Sequence, residues 1–232
     1  DSHVLLHALV GLRDRLDTGI GAVHVNHGLQ ADAGCWEDHC RRTCADLDVE
    51  YVSLCVDGRA RSGESPEAAA RQARYAALAD WLPAGHCLLT AQHRDDQAET
   101  LLLQLLRGSG VHGLAAMPPA ATLGAGQQLR PRLAVTRQTL HAYAVDRKLV
   151  WVEDTSNQEM AFDRNFLRLQ ILPALRQRWP AVTASLSRSA RHCAEAAAQL
   201  DQMGARDLRN VAGHDQGSVS LPGLAGLPAA RQ

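Results

Sequence analysis

Apolar residues recur at helical spacing along much of the chain, and the shorter segments between them resemble strands. The helical spacing predicts helices over 3–16, 33–47, 66–81, 95–107, 136–148, 165–178 and 181–206. Alternating or short apolar runs predict strands over 22–25, 49–56, 86–90 and 128–130, with an extended piece over 149–152. The segment 108–127 is rich in Gly, Ala and Pro, which predicts a loop.

Strands and helices in this alternating order predict an α/β fold with a doubly wound, mostly parallel sheet. We expect this domain to cover residues 1–180, a helical linker to cover 181–212 and the start of a further domain to cover 213–232. Ligands in such folds bind beyond the carboxyl ends of the strands. A helix that begins at residue 2 needs a strand before it, so we also expect about ten to thirty residues upstream.

Charge is unevenly distributed, although the net charge is only −1. Residues 126–191 hold 5 acids against 10 arginines and Lys148, which favours a polyanionic partner. An arginine-rich solvated surface is the alternative. Lys148 is the only lysine, which excludes a Walker-type phosphate loop. No apolar run is long enough to cross a membrane, and the six cysteines lack paired spacing, which predicts reduced core thiols in a cytoplasmic protein.

A histidine and three acids open the helix predicted over 95–107. They are His93, Asp95, Asp96 and Glu99. Carboxylates three or four residues apart share a helix face, and Mg²⁺ prefers such oxygen ligands together with substrate phosphates. Helix capping would explain one aspartate. Three acids behind a histidine at a strand end favour a functional site.

Two arginines and a tyrosine, Arg71, Arg74 and Tyr75, form an R-x-x-R-Y pattern on the helix over 66–81, which Ser65 is expected to cap. Arginines three residues apart share a face, and guanidinium groups bind phosphate well. A solvated helix face with Tyr75 in the core is equally consistent with the pattern.

Polar residues end the strand predicted over 22–25: His24, Asn26 and His27, followed by Gly28. Adenine recognition needs backbone edges and a small pocket, so Gly28 matters as much as the histidines. Structural histidines are the alternative. A zinc site is a further alternative, but its spacing matches no zinc pattern. Its ligands would be His24, His27, His39 and Cys40.

The most basic part of the chain contains Asp163, Arg164 and Asn165 at the entrance of a predicted helix. An arginine beside an asparagine at this position suits contact with phosphate. Capping by Asp163 or Asn165, with Arg164 in a surface ion pair, is the alternative.

These segments occur in an order that resembles the tRNA(Ile)-lysidine synthetase family of PP-loop enzymes. Asp1 and Ser2 resemble the end of the S-G-G-x-D-S phosphate loop. The other segments that carry the resemblance are 24–29, 71–75, 91–100, 107–110 and 163–165. The resemblance covers about 1–205. The Ser-Gly-Gly part of the loop is not in this sequence, so a molecule that began at Asp1 is expected not to turn over.

The resemblance implies an adenine-nucleotide α-hydrolase-like fold and an ATP-dependent ligase. The C2 oxygen of the wobble cytidine of tRNA(Ile) with a CAU anticodon attacks the α-phosphate of ATP, and pyrophosphate leaves. The ε-amine of free L-lysine then displaces AMP, and the product, lysidine, reads AUA instead of AUG. ATP and Mg²⁺ are thus the expected cofactors, and tRNA(Ile) and lysine the expected partners. The oligomeric state is left open, with a homodimer as one expectation.

The resemblance also implies roles for individual residues. The residues expected at the reacting groups are Asp1, Arg71, Asp96, Glu99 and Arg164. The residues expected to bind the nucleotide are Asp1, Ser2, His24, Asn26, His27, Gly28, Arg74, His93, Gly108, Ser109 and Gly110. The residues expected to hold Mg²⁺ are Asp95, Asp96 and Glu99. The segment 213–232 would begin a tRNA-recognition domain.

Two other functions fit part of this pattern. A tRNA 2-thiocytidine synthetase shares the fold but holds an iron–sulfur cluster with cysteine pairs, and no C-x-x-C occurs here. A non-catalytic RNA-binding protein is the second. The presence of Asp95, Asp96, Glu99 and Arg164 argues against it.

Overall fold

Strands and helices alternate along most of the chain, as the hydrophobic pattern predicts. The computed structural model describes residues 1–28, 33–60, 63, 66–213, 215 and 217–231. The strands are β1 (Gly21–Asn26), β2 (Glu50–Cys55), β3 (Cys87–Leu89), β4 (Ala120–Leu123) and β5 (Gly126–Leu129). The helices are α1 (Ser2–Val10), α2 (Ala33–Asp46), α3 (Pro66–Trp81), α4 (Arg94–Leu106), α5 (Val111–Leu114), α6 (Arg137–Asp146), α7 (Asp163–Phe166), α8 (Leu172–Arg178), α9 (Val182–Asn210) and α10 (Leu221–Ala225).

The strands pair mostly in parallel, but in two hydrogen-bonded sheets. β1 pairs with β2 in parallel, and β3 pairs with β5 in parallel while β4 lies antiparallel on the other side of β5. Carboxyl ends of parallel neighbours meet at one edge. Residues 90–93 and 130–132 therefore emerge side by side after β3 and β5. The parallel α/β architecture is confirmed, and the strand expected before Asp1 stays a prediction.

The predicted loop over 108–127 is wrong in part. It contains α5 and a hairpin formed by β4 and β5. Gly124 turns this hairpin with φ +54°, and a Cβ there would collide with the carbonyl oxygen of Ala79. β5 overlaps the strand predicted over 128–130, but the four-residue β4 lies in the Gly-, Ala- and Pro-rich segment and shows too little periodicity to be recognised.

Two predicted helices have altered ends. The helix expected over 3–16 stops at Val10, and a 3₁₀ turn follows at Arg13–Arg15. The helix expected over 165–178 begins earlier, as α7, and continues through a π-helical segment, Leu167–Ile171, into α8. Such π segments occur often at functional sites. The predicted cap Ser65 lies outside the described residues.

Packing places α9 behind the helix that carries the acids. α4 contacts α9, α5 contacts both helices, and Ala98 of α4 and Ala190 of α9 are fully buried. A second cluster joins α1 to α6 through Val4, Leu140 and Ala144. α9 confirms the predicted helix over 181–206 and forms a layer of the structure that supports the acids. The division of the chain at residue 180 stays a prediction.

The six cysteines are free, but they are not all core thiols. Cys44 is buried, whereas Cys35, Cys55 and Cys87 are exposed, so the expectation of six core thiols is wrong for these three. The cause is position, because Cys55 ends β2 and Cys87 begins β3. Within the described ranges, no helix combines the length and apolar character needed to cross a bilayer.

Candidate active site

His93 closes the end of the helix that carries the acids. Its backbone N–H donates to Oδ2 of Asp96 at 3.0 Å, and its Nδ1 accepts from the backbone N–H of Asp96 at 3.3 Å. This reciprocal capping box satisfies free N–H groups of the first turn. Because Nδ1 is the acceptor, a neutral ring carries its proton on Nε2, which lies 3.5 Å from Oδ2 of Asp1.

Burial decides the protonation of this histidine. His93 is 1% exposed, and burial lowers its pKa, although the carboxylates of Asp96 and Asp95 oppose the shift. The ring is therefore neutral near pH 7. Asp1, at the start of α1, lies beside the first turn of α4.

Glu99 is fully buried and paired with an arginine that sequence reasoning did not select. Arg168 donates from Nε to Oε1 of Glu99 at 2.8 Å and from Nη2 to Oε2 at 2.9 Å, a bidentate pair. The same Nη2 lies 3.2 Å from Oδ1 of Asp96. Burial raises the pKa of Glu99, and the bonds to Arg168 oppose that shift. Burial also disfavours the charge on Arg168, but the bonds to Glu99 together with the negative charges of Glu99, Asp96 and Asp95 outweigh this and raise its pKa.

The carboxylate of Asp95 accepts hydrogen bonds from two other elements of the structure. One oxygen accepts from the backbone N–H of Arg137 at 2.8 Å, and the other accepts from the guanidinium of Arg176. The carboxylate thereby ties the start of α4 to the start of α6 and to α8. Both of its oxygens have donors, so the geometry favours a structural role for Asp95.

Arg164 has donor capacity to spare. Its Nη2 donates to Oγ1 of Thr100 at 3.1 Å, and its Nε lies 3.8 Å from Oε2 of Glu99. That Nε is buried and has no hydrogen-bond partner among the residues that the structure describes. Asn165 behaves differently, because its amide donates to the carbonyls of Ser156 and Glu159 at 2.8 and 2.9 Å. Asn165 thus fixes the preceding loop, and Arg164 is the residue positioned for an anionic ligand.

The three acids do not form a ready-made metal site. Asp95 and Glu99 have both oxygens bonded, and Asp96 accepts from His93 and faces Arg168. Within the described ranges, no three His, Cys, Asp or Glu side chains converge in a way that could hold a metal. A magnesium role for Asp95, Asp96 and Glu99 stays a prediction, and the donors around them disfavour it as a three-carboxylate set.

A second group of predicted residues lies at the end of β1. Asn26 accepts from the N–H of Gly28 at 2.9 Å and donates to Glu37 at 3.1 Å, while Gly28 has φ +64°. Nε2 of His27 accepts from Arg74 at 3.1 Å, so its neutral ring carries the proton on Nδ1, which is buried without a described partner. Burial lowers the pKa of His27, and Arg74 adds to this.

An open cleft of about 450 Å³ adjoins this strand end. His27 and Gly28 line it together with Val56 and Asp57, which follow β2. His24 lies on the strand itself, with Nδ1 3.9 Å from Sγ of Cys40. The size is ordinary for a small-molecule site, and its position at the carboxyl ends of two parallel strands is where nucleotides bind in such folds.

Four predicted residues lie apart from both groups. Arg71 stacks over the ring of Tyr75, with 4.8 Å from its guanidinium carbon to the ring centre. Gly108 and Ser109 donate to the carbonyls of Leu105 and Gln104, the Schellman pattern that ends a helix. Because α4 has 13 residues, these glycines are about 20 Å from His93. Gly110 follows them and caps α5.

The sequence contained one signal for the missed arginine. Arg168 lies in the helix predicted over 165–178 and follows Arg164, at the entrance of that helix, by four residues, so both side chains can face the same neighbour. Glu99 follows Asp96 by three residues in the same way. Neither spacing indicates that the two helix faces contact each other, because Glu99 and Arg168 are 69 residues apart in sequence.

Comparison with known proteins agrees with this fold. A family described as the PP-loop domain matches residues 1–175. The chain belongs to the PP-loop domain family. A solved structure, the U34-tRNA thiolase NcsA from Methanococcus maripaludis with its 4Fe–4S cluster, is similar in fold, with a TM-score of 0.69 at 13% identity over 84% of this chain and 68% of that chain.

Curated relatives are much closer in sequence. The tRNA(Ile)-lysidine synthase of Methylococcus capsulatus is 53% identical over 88% of this chain and 46% of its own length. The enzymes of the same name from Pseudomonas syringae pv. tomato and Serratia proteamaculans are 52% and 50% identical over 91% and 100% of this chain, which correspond to 47% and 53% of their lengths. The chain therefore spans about half the length of the curated relatives it matches.

Proposed function

We propose that this chain belongs to an ATP-dependent tRNA(Ile)-lysidine synthase, which joins lysine to C2 of the wobble cytidine of tRNA(Ile) with a CAU anticodon. The observation that carries the proposal is the identity of about half of all residues to curated enzymes of that name, over nearly the whole chain. Asp96, Glu99, Arg164 and Arg168 lie within residues 1–175, which the PP-loop domain family matches.

The proposed reaction has two displacement steps. The C2 oxygen of the cytidine attacks the α-phosphate of ATP, and pyrophosphate leaves. The ε-amine of lysine then attacks C2 as the C2–O bond breaks and AMP departs, while the amine loses a proton to solvent. Both steps depend on orienting the reactants and on offsetting phosphate charge.

The two groups of residues would share this work. The cleft beside His27 and Gly28 would hold the adenine, with the buried N–H of His27 as a donor and Asn26 shaping the turn. Arg164 would donate its free N–H to the adenylate phosphate. Asp1 and Ser2 would lie beside the polyphosphate, with His93 positioning Asp1. Asp96 and Glu99 would keep Arg164 and Arg168 in place.

Mg²⁺ belongs to this proposal as an ion carried by the nucleotide. Bound there, it would offset charge on the phosphate oxygens and help pyrophosphate to leave. The three acids would not hold this ion, because each has protein donors already. Arg71 and Arg74 remain predicted contacts with phosphate, and the segment 108–110 remains a predicted contact with the nucleotide. We also place the enzyme in the cytoplasm, where tRNA is modified, and a homodimer stays a prediction.

ATP–pyrophosphate exchange tests this proposal on the full natural chain. With a tRNA(Ile) transcript that carries CAU, we expect label from pyrophosphate to appear in ATP, because adenylation is reversible. A transcript with the wobble cytidine changed to uridine is the matched control and should give none. Equal exchange with both transcripts, or no exchange with the CAU transcript, would contradict the proposed ligase function.

Iron analysis separates it from the thiolation alternative. We expect a colourless protein without stoichiometric iron. A brown protein that transfers sulfur to tRNA would instead support the thiocytidine reading.

A further inference from the structure

The buried side of strand β5 continues past its end with polar residues. Gly126, Gln128, Arg130 and Arg132 alternate with more exposed neighbours, and all four are buried. A strand that faces a core normally buries apolar side chains at such positions. Two buried arginines therefore emerge at the carboxyl edge of the β3–β5 pair, beside the segment that leads to His93.

Arg130 is held by a polar network. Its Nη1 donates to the carbonyl of Pro118 at 2.8 Å, and its Nη2 donates to Oε1 of Gln128 at 2.6 Å. Gln128 in turn donates to Thr90 at 2.9 Å and to the hydroxyl of Tyr75 at 3.2 Å. The network joins α3, β3 and β5, and it fixes the backbone from which Arg132 projects.

Arg132 has fewer partners. It is 8% exposed, and Nη2 donates to the carbonyl of Val4 in α1 at 2.7 Å. Its Nη1 is buried without a hydrogen-bond partner in the described part of the chain. Val4 lies three residues after Asp1, so Arg132 approaches the first turn of α1, where Asp1 lies 3.5 Å from His93.

The charge of these two arginines is uncompensated within the described ranges. Neither forms an ion pair with a carboxylate there, unlike Arg164, Arg168 and Arg176. A buried guanidinium without a counter-charge is costly, and a bound anion would remove the cost. Guanidinium groups bind phosphate oxygens in particular through pairs of N–H donors.

We propose that Arg132 binds the pyrophosphate portion of the nucleotide at the start of α1, and that Arg130 is a positioning residue for it. The identity of the nucleotide rests on the proposed function. That the ligand is an anion rests on the buried donors alone, and pyrophosphate is the anion that the proposed function supplies.

Calorimetric titration with inorganic pyrophosphate and Mg²⁺ tests this on the full natural chain. Arg132→Met removes the charge at similar length, and Arg132→Lys keeps the charge without the planar donors. Arg147→Met is the matched control, because Arg147 is exposed and pairs only with Asp146 and Tyr143 in the described residues. We expect Arg132→Met to weaken pyrophosphate binding by at least about tenfold, as for a lost hydrogen bond to a charged group. Arg132→Lys should fall between, and Arg147→Met should match the parent.

Equal affinity of the parent and the folded Arg132 variants would overturn the inference, and so would a parent that does not bind pyrophosphate saturably. If Arg132→Met does not fold, Arg132→Lys decides by the same comparison. The two proposals fail separately. If the parent protein shows no tRNA-dependent exchange but binds pyrophosphate in a way that depends on Arg132, the proposed function alone is contradicted. If exchange occurs and Arg132 substitutions leave it unaffected, this inference alone is contradicted.

Discussion

Glu99 is a buried carboxylate whose charge is balanced chiefly by Arg168. It is 1% exposed, and both oxygens accept from the same guanidinium. A buried ion pair of this kind adds little net stability compared with apolar residues of similar shape. Removing only one partner of the pair is costly, because the other charge stays buried away from water without an opposite charge. The pair is therefore better understood as fixing the geometry beside Arg164 than as a source of stability.

Replacing Arg168 with methionine should reduce the free energy of unfolding by about 3–5 kcal/mol near neutral pH. Burial raises the pKa of Glu99, and the loss of Arg168 raises it further. The folded variant then binds a proton that the unfolded chain releases, so its stability should fall as pH rises above the ordinary glutamate range. Urea unfolding at several pH values measures this.

Two variants control that experiment. Arg191→Met removes an exposed i,i+4 pair with Glu195 and should cost at most about 0.5 kcal/mol. Adding Glu99→Gln to Arg168→Met should abolish the new dependence on pH and recover part of the stability. Equal losses for Arg168→Met and Arg191→Met would contradict the buried pair.

His93 predicts a different dependence on pH. Burial lowers its pKa below the ordinary value of 6.5, so the unfolded chain binds a proton more readily than the folded chain. Stability should thus fall as pH drops from about neutral through the ordinary histidine range. His93→Asn keeps a capping side chain and should flatten this slope. An unaltered slope in His93→Asn would show that this ring does not titrate as proposed.

At the scale of elements, α4 carries the acids of the candidate site, and its two ends are stabilised by different capping motifs. The capping box at His93 sets the acids at the start, and the Schellman turn at Gly108 ends the helix. Gly108, with φ +72°, therefore has a structural role at this helix end that does not depend on ATP. Gln97 adds to this, since its amide bonds both the N–H and the carbonyl of Met117 at 3.0 Å.

Three glycine substitutions test this interpretation of the elements. Gly108 has φ +72° in open space, so Gly108→Ala should cost about 1–2 kcal/mol from backbone strain alone. Gly124→Ala should cost more, because its Cβ also meets the backbone of Ala79. Gly204→Ala, inside α9 with no neighbour within 4 Å, should stabilise by about 0.5–1 kcal/mol. Thermal unfolding compares the three, and a reversed order would contradict the turn assignments.

The elements show what the sequence could predict and what it could not. The bounds of β1, α2, α3 and α4 agree with the hydrophobic pattern within about two residues, because caps and periodicity are local signals. β5 overlaps the strand predicted over 128–130, whereas β4 was missed because it is only four residues long. The predicted residues His93, Asp96, Glu99 and Arg164 do converge, but the partners Arg168 and Arg176 depend on helix packing, which no local spacing encodes.

At the scale of the molecule, part of the positive charge of residues 126–191 lies inside the structure. Arg130, Arg132, Arg164, Arg168 and Arg176 have side chains that are buried or engaged in the site, so half of the 10 arginines in 126–191 do not form an outer surface. The local excess of positive charge is thus divided between the interior of the candidate site and the outer surface. Net charge by sequence position could not separate these two uses.

Mass spectrometry of the tRNA after reaction with isotopically labelled lysine tests the central claim most directly. The full natural chain, ATP and a tRNA(Ile) transcript with a CAU anticodon should give label on the wobble cytidine, with one AMP formed for each lysine joined. Omitting ATP or lysine should leave that cytidine unmodified. A transcript whose wobble cytidine stays unmodified while the folded protein binds ATP and tRNA, or one that gains sulfur instead, would contradict the account.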